Sequence, residues 1–280
     1  MTNTSMAFSR VTLYLNFTYS YVIYLDRLYA PNVITRHNRV SFPNLLTFRY
    51  IGTKIRILRR VKRPLETLTI EKIKAAHAAR RDEIRRRLLE FERIWADGSD
   101  ADLWREMVFC FFTGGCSAKM GLRSIEAVGS LLMAGTQPEL AAALRGVHRY
   151  PNARSRYIVA SREYLQAHCG MRLRDRLAGF EDPLARRDWL ATDRDVKGLG
   201  FKEASHFLRN VGFKGYAILD KHVLNCLFEI GVIDDPNPPG TRDRYLKTEM
   251  ALMEFSARLS IDPDEMDLVL WSLRTGEILK

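Results

Sequence analysis

The sequence predicts an all-α body preceded by a basic extension with strand patterning. Three observations carry this. Apolar residues recur at helical spacing from about Thr69 onward; turns rich in Gly and Pro divide that stretch without β-α-β alternation or internal repeat; and strict alternation is confined to residues 11–25. At 280 residues the chain has room for one or two domains. The texture change places their border between an extension, 1–68, and a body, 69–280.

In the extension, "VTLYLNFTYSYVIYL" puts Leu13, Leu15, Phe17, Tyr19, Tyr21, Ile23 and Leu25 on one strand face. The basic run "GTKIRILRRVKRP" from Gly52 to Pro64 reads as a linker or a phosphate-contacting arm. Three origins compete for residues 1–68: a small strand unit, a basic arm, or translated sequence upstream of the true start. A poorly integrated extension fits best. Polar residues interrupt its apolar stretch and no small-residue cleavage site follows, which argues against a secretory signal.

The body opens with a long amphipathic helix from Thr69, its inward positions being Ile70, Ile73, His77, Ile84, Leu88, Phe91 and Ile94. Further helices are expected over "ADLWREMVFCFFTGG", "SAKMGLRSIEAVGSLLMAG", "QPELAAALRGV", "ARSRYIVASREYLQAH", "PLARRDWLATD", the residues after Gly200, "DKHVLNCLFEI", "TRDRYLKTEMALMEFSARLS" and "DPDEMDLVLWSLRTG". The loop "DDPNPPG", residues 234–240, is a rigid connection and a candidate hinge.

Hydrophobic content of 46% and charged content of 28% are ordinary for a globular protein, and no apolar tract is long enough to span a bilayer. The formal charge of +11 is concentrated at one end. Residues 1–64 hold eleven Lys and Arg against the single acid Asp26, while the remainder is nearly balanced at 33 against 32. Overall basicity therefore says little about the body. The four cysteines, Cys110, Cys116, Cys169 and Cys226, are too scattered for a disulfide framework, a zinc site or an iron–sulfur cluster. They are expected to be reduced, small buried hydrophobes in a cytoplasmic protein.

The stretch "VKGLGFKEASHFLRNVGFKGYAILDKHVL" carries the chemistry. Gly198 and Gly200 permit a sharp hairpin between two helices, and Ala204 leaves room for a neighbour. Free backbone N–H groups at the start of the second helix form an anion site suited to a DNA phosphate, so Lys202 is surplus to phosphate binding. On that helix Phe201, Ala204, Phe207, Leu208 and Val211 make an inward stripe, leaving Lys202, Ser205, His206 and Arg209 on another face; Gly212 ends it. A solvated first-turn lysine is the bland alternative. The helix dipole, however, disfavours the charged ammonium and enlarges the neutral fraction that can attack carbon or form a Schiff base. Asp220 leads the next helix, closed by Gly231, and on pattern alone is an N-cap. Eighteen residues after Lys202, it has enough chain to return to the same cleft and stabilise a developing cation.

These residues resemble the helix-hairpin-helix DNA glycosylases, and more narrowly the type 2 8-oxoguanine DNA glycosylases, or N-glycosylase/DNA lyases. "EMVFCFFTGGCSAKMGLRSIEAV", "NARSRYIVASRE" and the ending "LWSLRTGEILK" agree, so the resemblance covers about 69–280. It implies a two-lobed all-α glycosylase fold, with Lys202 as nucleophile, Asp220 as essential acid and the terminal Lys280 distinguishing 8-oxoguanine from guanine. It also implies base extrusion from duplex DNA, attack on the deoxyribose C1′, and strand nicking by β-elimination through a Schiff base. The bland alternative for Lys280 is a solvated tail.

Trp271 is a candidate for stacking on the extruded base or a core aromatic. Gly198 and Gly200 would approach DNA phosphate. Arg154 and Arg156 are phosphate contacts or an exposed helix face. His206 and His222 lack a third partner at ligand spacing and are not expected to bind metal. No cofactor is expected beyond a monovalent or divalent cation at the hairpin–phosphate contact. The partner implied is duplex DNA containing 8-oxoguanine, handled by a monomer in the cytoplasm, or at the nucleoid of a prokaryote. At Gly114 or Gly115 the chain departs from the family pattern of a bulkier or amide residue, so the wedge that fills the vacated stack is unassigned. The rivals are a glycosylase for another damaged base, a non-catalytic DNA-binding module and a structural helical protein.

Overall fold

A computed structural model describes residues 47–50, 53–56, 67–192 and 196–279. The chain divides into two compact units, Met1–Thr67 and Leu68–Lys280. In the first, β1 (Thr47–Tyr50) and β2 (Thr53–Arg56) pair antiparallel, with Phe48 opposite Ile55. Part of the basic run is therefore a strand, not only a linker or arm; its Lys and Arg interleave with Thr53 and Ile55 at strand spacing, and the charge hides that period. The alternating stretch 11–25 lies outside the described residues.

The second unit is helical. In chain order it contains α1 (Ile70–Asp97), α2 (Asp100–Thr113), α3 (Ala118–Val128), α4 (Gln137–Leu144), α5 (Pro151–Cys169) and α6 (Leu173–Ala178). These are followed by α7 (Pro183–Thr192), α8 (Phe201–Asn210), α9 (Lys221–Glu229), α10 (Arg242–Leu259) and α11 (Pro263–Thr275). Local signals set the boundaries. Thr69 Oγ1 caps α1 by accepting from Lys72 N, and Ser99 and Asp102 form a reciprocal capping box on α2. The segment expected to run from Ser117 to Gly135 instead breaks at Gly129 into a single 3-10 turn, Gly129–Leu131. Helix α6 was not anticipated: at six residues it is too short to display a period. On α1, Ile73, Ile84 and Phe91 are buried as expected, but Ile70, in the first turn, is exposed.

Two apolar cores result. One gathers Leu103, Met107 and Phe111 of α2 with Ile158 of α5 and Phe207 of α8. The other gathers Ile73 and Ile84 of α1 with Leu224 of α9, Leu252 of α10 and Val269 of α11. Met107 through Phe112 are essentially inaccessible, making α2 a helix apolar on every side and surrounded by its lobe.

Helix α8 lies between the cores, which overturns the expected two-faced pattern. Besides the apolar stripe, Ser205, His206, Arg209 and Asn210 are buried, while Phe201 is only half-buried against the second core. The second face of α8 is packed from both sides. Arg209 pairs with Asp267 of α11 (3.1 Å) and covers the Phe91 ring, and His206 meets Phe109 edge-on. Burial without sufficient compensation pushes the Asp267 carboxyl up to about 6 despite the Arg209 charge.

Candidate active site

The turn 196–200 is held by α5. Tyr157 packs onto Gly198, whose φ of +88° lies in the left-handed region; a Cβ there would stand 2.6 Å from Tyr157 Cδ2. Glycine is thus required twice, for conformation and for space. One turn along the same face, Ser161 Oγ accepts from Lys197 N (2.9 Å), and buried Val196 and Leu199 anchor the turn in the first core. Gly200 then serves as the N-cap of α8 with no side chain to satisfy the first N–H groups, which leaves them available to an anion.

Lys202 sits in the first turn of α8. Its side chain is 25% exposed, partly sheltered, and its ammonium pairs with Glu203 Oε1 at 2.8 Å. Asp220 is the N-cap of α9: Oδ1 accepts from His222 N (2.8 Å) and Val223 N (2.9 Å). Both hydrogen bonds use one oxygen, and among the described residues Oδ2 takes none. Capping and a chemical role are thus compatible in one residue. Among the described residues Lys202 is ion-paired with Glu203 and not with Asp220.

What joins the two is the frame beneath them. Phe201, the residue before Lys202, has its ring 5.7 Å from that of Tyr245 on α10. Leu219, the residue before Asp220, donates its N–H to the Tyr245 hydroxyl (3.4 Å). That hydroxyl also donates to Ala217 O (2.7 Å) and lies 3.2 Å from Ser205 Oγ on α8. The loop leading to Asp220 is fastened throughout: Gly215 N to Asp264 (2.8 Å), Ala217 N to Glu249 (2.9 Å) and Ile218 N to Asp267 (3.2 Å). Glu249 in turn receives both terminal nitrogens of the buried Arg187 (2.7 and 2.9 Å), which also reaches Ser205 (3.2 Å). Such a buried polar network favours one geometry, because any further broken member leaves an unsatisfied charge or amide; Arg187 Nε is already without a partner among the described residues.

Arg154 corrects an expectation. It is not an exposed helix residue; it is buried, donates to Gly114 O and lies over the Tyr157 ring, while Arg156 is exposed. A Cβ at Gly114 would stand 3.1 Å from Arg154 Nη2, tighter than an ordinary contact, and 3.5 Å from Glu203 Oε1, an ordinary one. Trp271 is half-buried against the second core. His222 is half-buried beside Asp220, and among the described residues no three His, Cys, Asp or Glu side chains cluster as metal ligands do. None of the four cysteines is in a disulfide; Cys110 and Cys226 are buried, Cys116 and Cys169 only partly so. Lys280 lies outside the described residues. Among them no helix is long and apolar enough to cross a membrane. Sequence reasoning passed over Glu203, Tyr245 and Glu249.

A family model described as 8-oxoguanine DNA glycosylase matches residues 84–261. A Korarchaeum cryptofilum protein named 8-oxoguanine DNA glycosylase/AP lyase is 43% identical over 201 residues, covering 71% of this chain and 91% of the relative. A Methanocaldococcus jannaschii protein of the same name is 34% identical over 201 residues, covering 71% and 93%. In structure, the chain resembles the M. jannaschii 8-oxoguanine glycosylase/lyase in complex with a 15-mer DNA containing 8-oxoguanine. The TM-score is 0.69, with 32% identity and coverage of 75% of this chain and 99% of that one. It likewise resembles the Thermotoga maritima 8-oxoguanine DNA glycosylase, with TM-score 0.68, 35% identity and coverage of 75% and 97%.

Proposed function

Because the chain belongs to the 8-oxoguanine DNA glycosylase family, we propose that it excises 8-oxoguanine from duplex DNA and nicks the strand at the resulting site, using Lys202 and Asp220. The observation that carries this is the shared footing on Tyr245, whose ring meets the side chain before Lys202 and whose hydroxyl holds the backbone N–H before Asp220.

In this mechanism the damaged nucleotide leaves the stack at a cost of a few kcal/mol and enters the protein. The amine of Lys202 attacks C1′, and the base departs with the bonding electrons. Asp220, fixed by its two backbone N–H bonds, places negative charge against the oxocarbenium-like carbon. Ring opening gives a Schiff base, which permits β-elimination of the 3′ phosphate, so one amine serves both steps. The uncapped start of α8 binds a backbone phosphate beside the Gly198–Gly200 turn, with a monovalent or divalent cation at that contact as part of the proposal. Trp271 stacks on the extruded base and Lys280 helps distinguish it from guanine. The chemistry draws on no further cofactor, and a monomer in the cytoplasm, or at the nucleoid, suffices for it.

Excision and nicking of a duplex with 8-oxoguanine opposite cytosine test this. Lys202→Gln should lose both by roughly 10³-fold or more, the scale on which loss of a covalent nucleophile acts. Full excision by that variant would remove Lys202 from the mechanism.

A further inference from the structure

We propose that Glu203 is the proton acceptor that converts the Lys202 ammonium into the attacking amine. This rests on Lys202 being the nucleophile.

The carboxylate lies 2.8 Å from Lys202 Nζ, within direct proton-transfer reach, and the two side chains are only 17% and 25% exposed. Its other neighbours are the two glycine turns. Oε2 is 3.4 Å from where a Gly200 Cβ would stand, and Oε1 is 3.5 Å from where a Gly114 Cβ would stand. The group is thus enclosed between the hairpin, the turn after α2 and the ammonium. A carboxylate at the third position of α8 also suits the helix dipole, but the dipole does not require contact with its neighbour's nitrogen.

In water, moving a proton from an ammonium to a carboxylate is uphill by about six pK units. Covering the pair with DNA narrows that gap, because two neutral groups are cheaper to desolvate than two charges. The accounting closes. Lys202 gives one proton to Glu203, the neutral nitrogen bonds to C1′ as the C1′–N9 bond breaks, and Glu203 returns the proton to the departing base. A second proton on the new secondary ammonium passes to O4′ as the sugar opens, leaving the iminium and an unchanged Glu203 carboxylate.

The test is single-turnover excision on an 8-oxoguanine:cytosine duplex from pH 6.5 to 9.5, for wild type, Glu203→Gln, Glu203→Asp and Lys202→Gln, with duplex affinity measured alongside. Without the acceptor only amine already neutral can react. Glu203→Gln should therefore be roughly 10²-fold slower at pH 6.5, the usual size of a lost proton-transfer group, with unchanged affinity. The deficit should shrink as pH rises towards 9.5, and Glu203→Asp should keep the shallow wild-type profile. If Glu203 merely holds the ammonium charged, Glu203→Gln enlarges the neutral fraction and speeds excision at pH 6.5, which overturns the proposal. So does an unchanged rate, a deficit equal at every pH, a deficit that follows lost affinity, or a steep profile for Glu203→Asp. Were Lys202→Gln to retain excision, the nucleophile itself would be misassigned; were it inactive while Glu203→Gln matched wild type, only the role of Glu203 would fall.

Discussion

The ring of Phe201 rests 5.7 Å from that of Tyr245, whose hydroxyl also holds the Leu219 N–H, so one side chain of α10 underlies the positions just before Lys202 and Asp220. Tyr245→Phe keeps the ring contact and removes the hydroxyl. The Ala217 carbonyl and Leu219 N–H lose a buried partner, which should cost about 1–3 kcal/mol in denaturant unfolding. Catalysis should suffer separately: a small displacement of Asp220 lowers single-turnover excision by roughly 10- to 100-fold. Affinity for the duplex should not change.

Arg187 and Glu249 form a buried, two-pronged ion pair that also fastens Ala217 N and Ser205. Removing one charge strands the other. Arg187→Met should destabilise the protein by about 3–5 kcal/mol, and urea midpoints would measure it. A loss under 1 kcal/mol would mean that water or rearrangement satisfies Glu249.

Gly198→Ala faces both a φ of +88° and the Tyr157 ring. Strain of this kind costs on the order of 1–3 kcal/mol and should weaken duplex binding by distorting the turn proposed to meet phosphate. Adding Tyr157→Ala removes the steric part only, so the double variant should recover some stability but not all. Thermal melts of the four proteins separate the two contributions.

Glu265 on α11 receives Arg85 (2.7 Å) and His77 from α1. Burial pushes its carboxyl up, yet the hydrogen bonds and charges of Arg85 and His77 together outweigh burial and hold it below the ordinary glutamate range. The folded state therefore favours the ionised form. That stability is present above about pH 4.5 and is lost as pH falls through the folded value. Glu265→Gln should be destabilising near pH 7, and the difference from wild type should shrink below pH 4.5 in pH-dependent denaturation.

Much of this was legible in the sequence, for identifiable reasons. Gly198, Gly200, Lys202 and Asp220 stand at helix junctions, where backbone demands are local and residue type reports them directly. Helix α1 announces itself through 28 residues of periodicity, whereas the six of α6 carry none. What the second face of α8 meets was not legible because its partners are distant in sequence: Asp267 lies 58 residues after Arg209, Tyr245 40 after Ser205 and Arg187 18 before it, and only the fold brings them together. Arg154 and Glu203 look like ordinary charged surface residues in sequence; only the fold brings both beside the turn at Gly114.

The central claim is that the Lys202 amine becomes covalently joined to the sugar. Borohydride reduction of the full-length protein with an 8-oxoguanine:cytosine duplex, followed by proteolysis and mass mapping of the nucleotide-bearing peptide, reads this directly. The deoxyribose remnant should be found on Lys202 and should vanish in Lys202→Gln. A remnant on any other amine, or efficient excision with no trapped adduct, would contradict the mechanism.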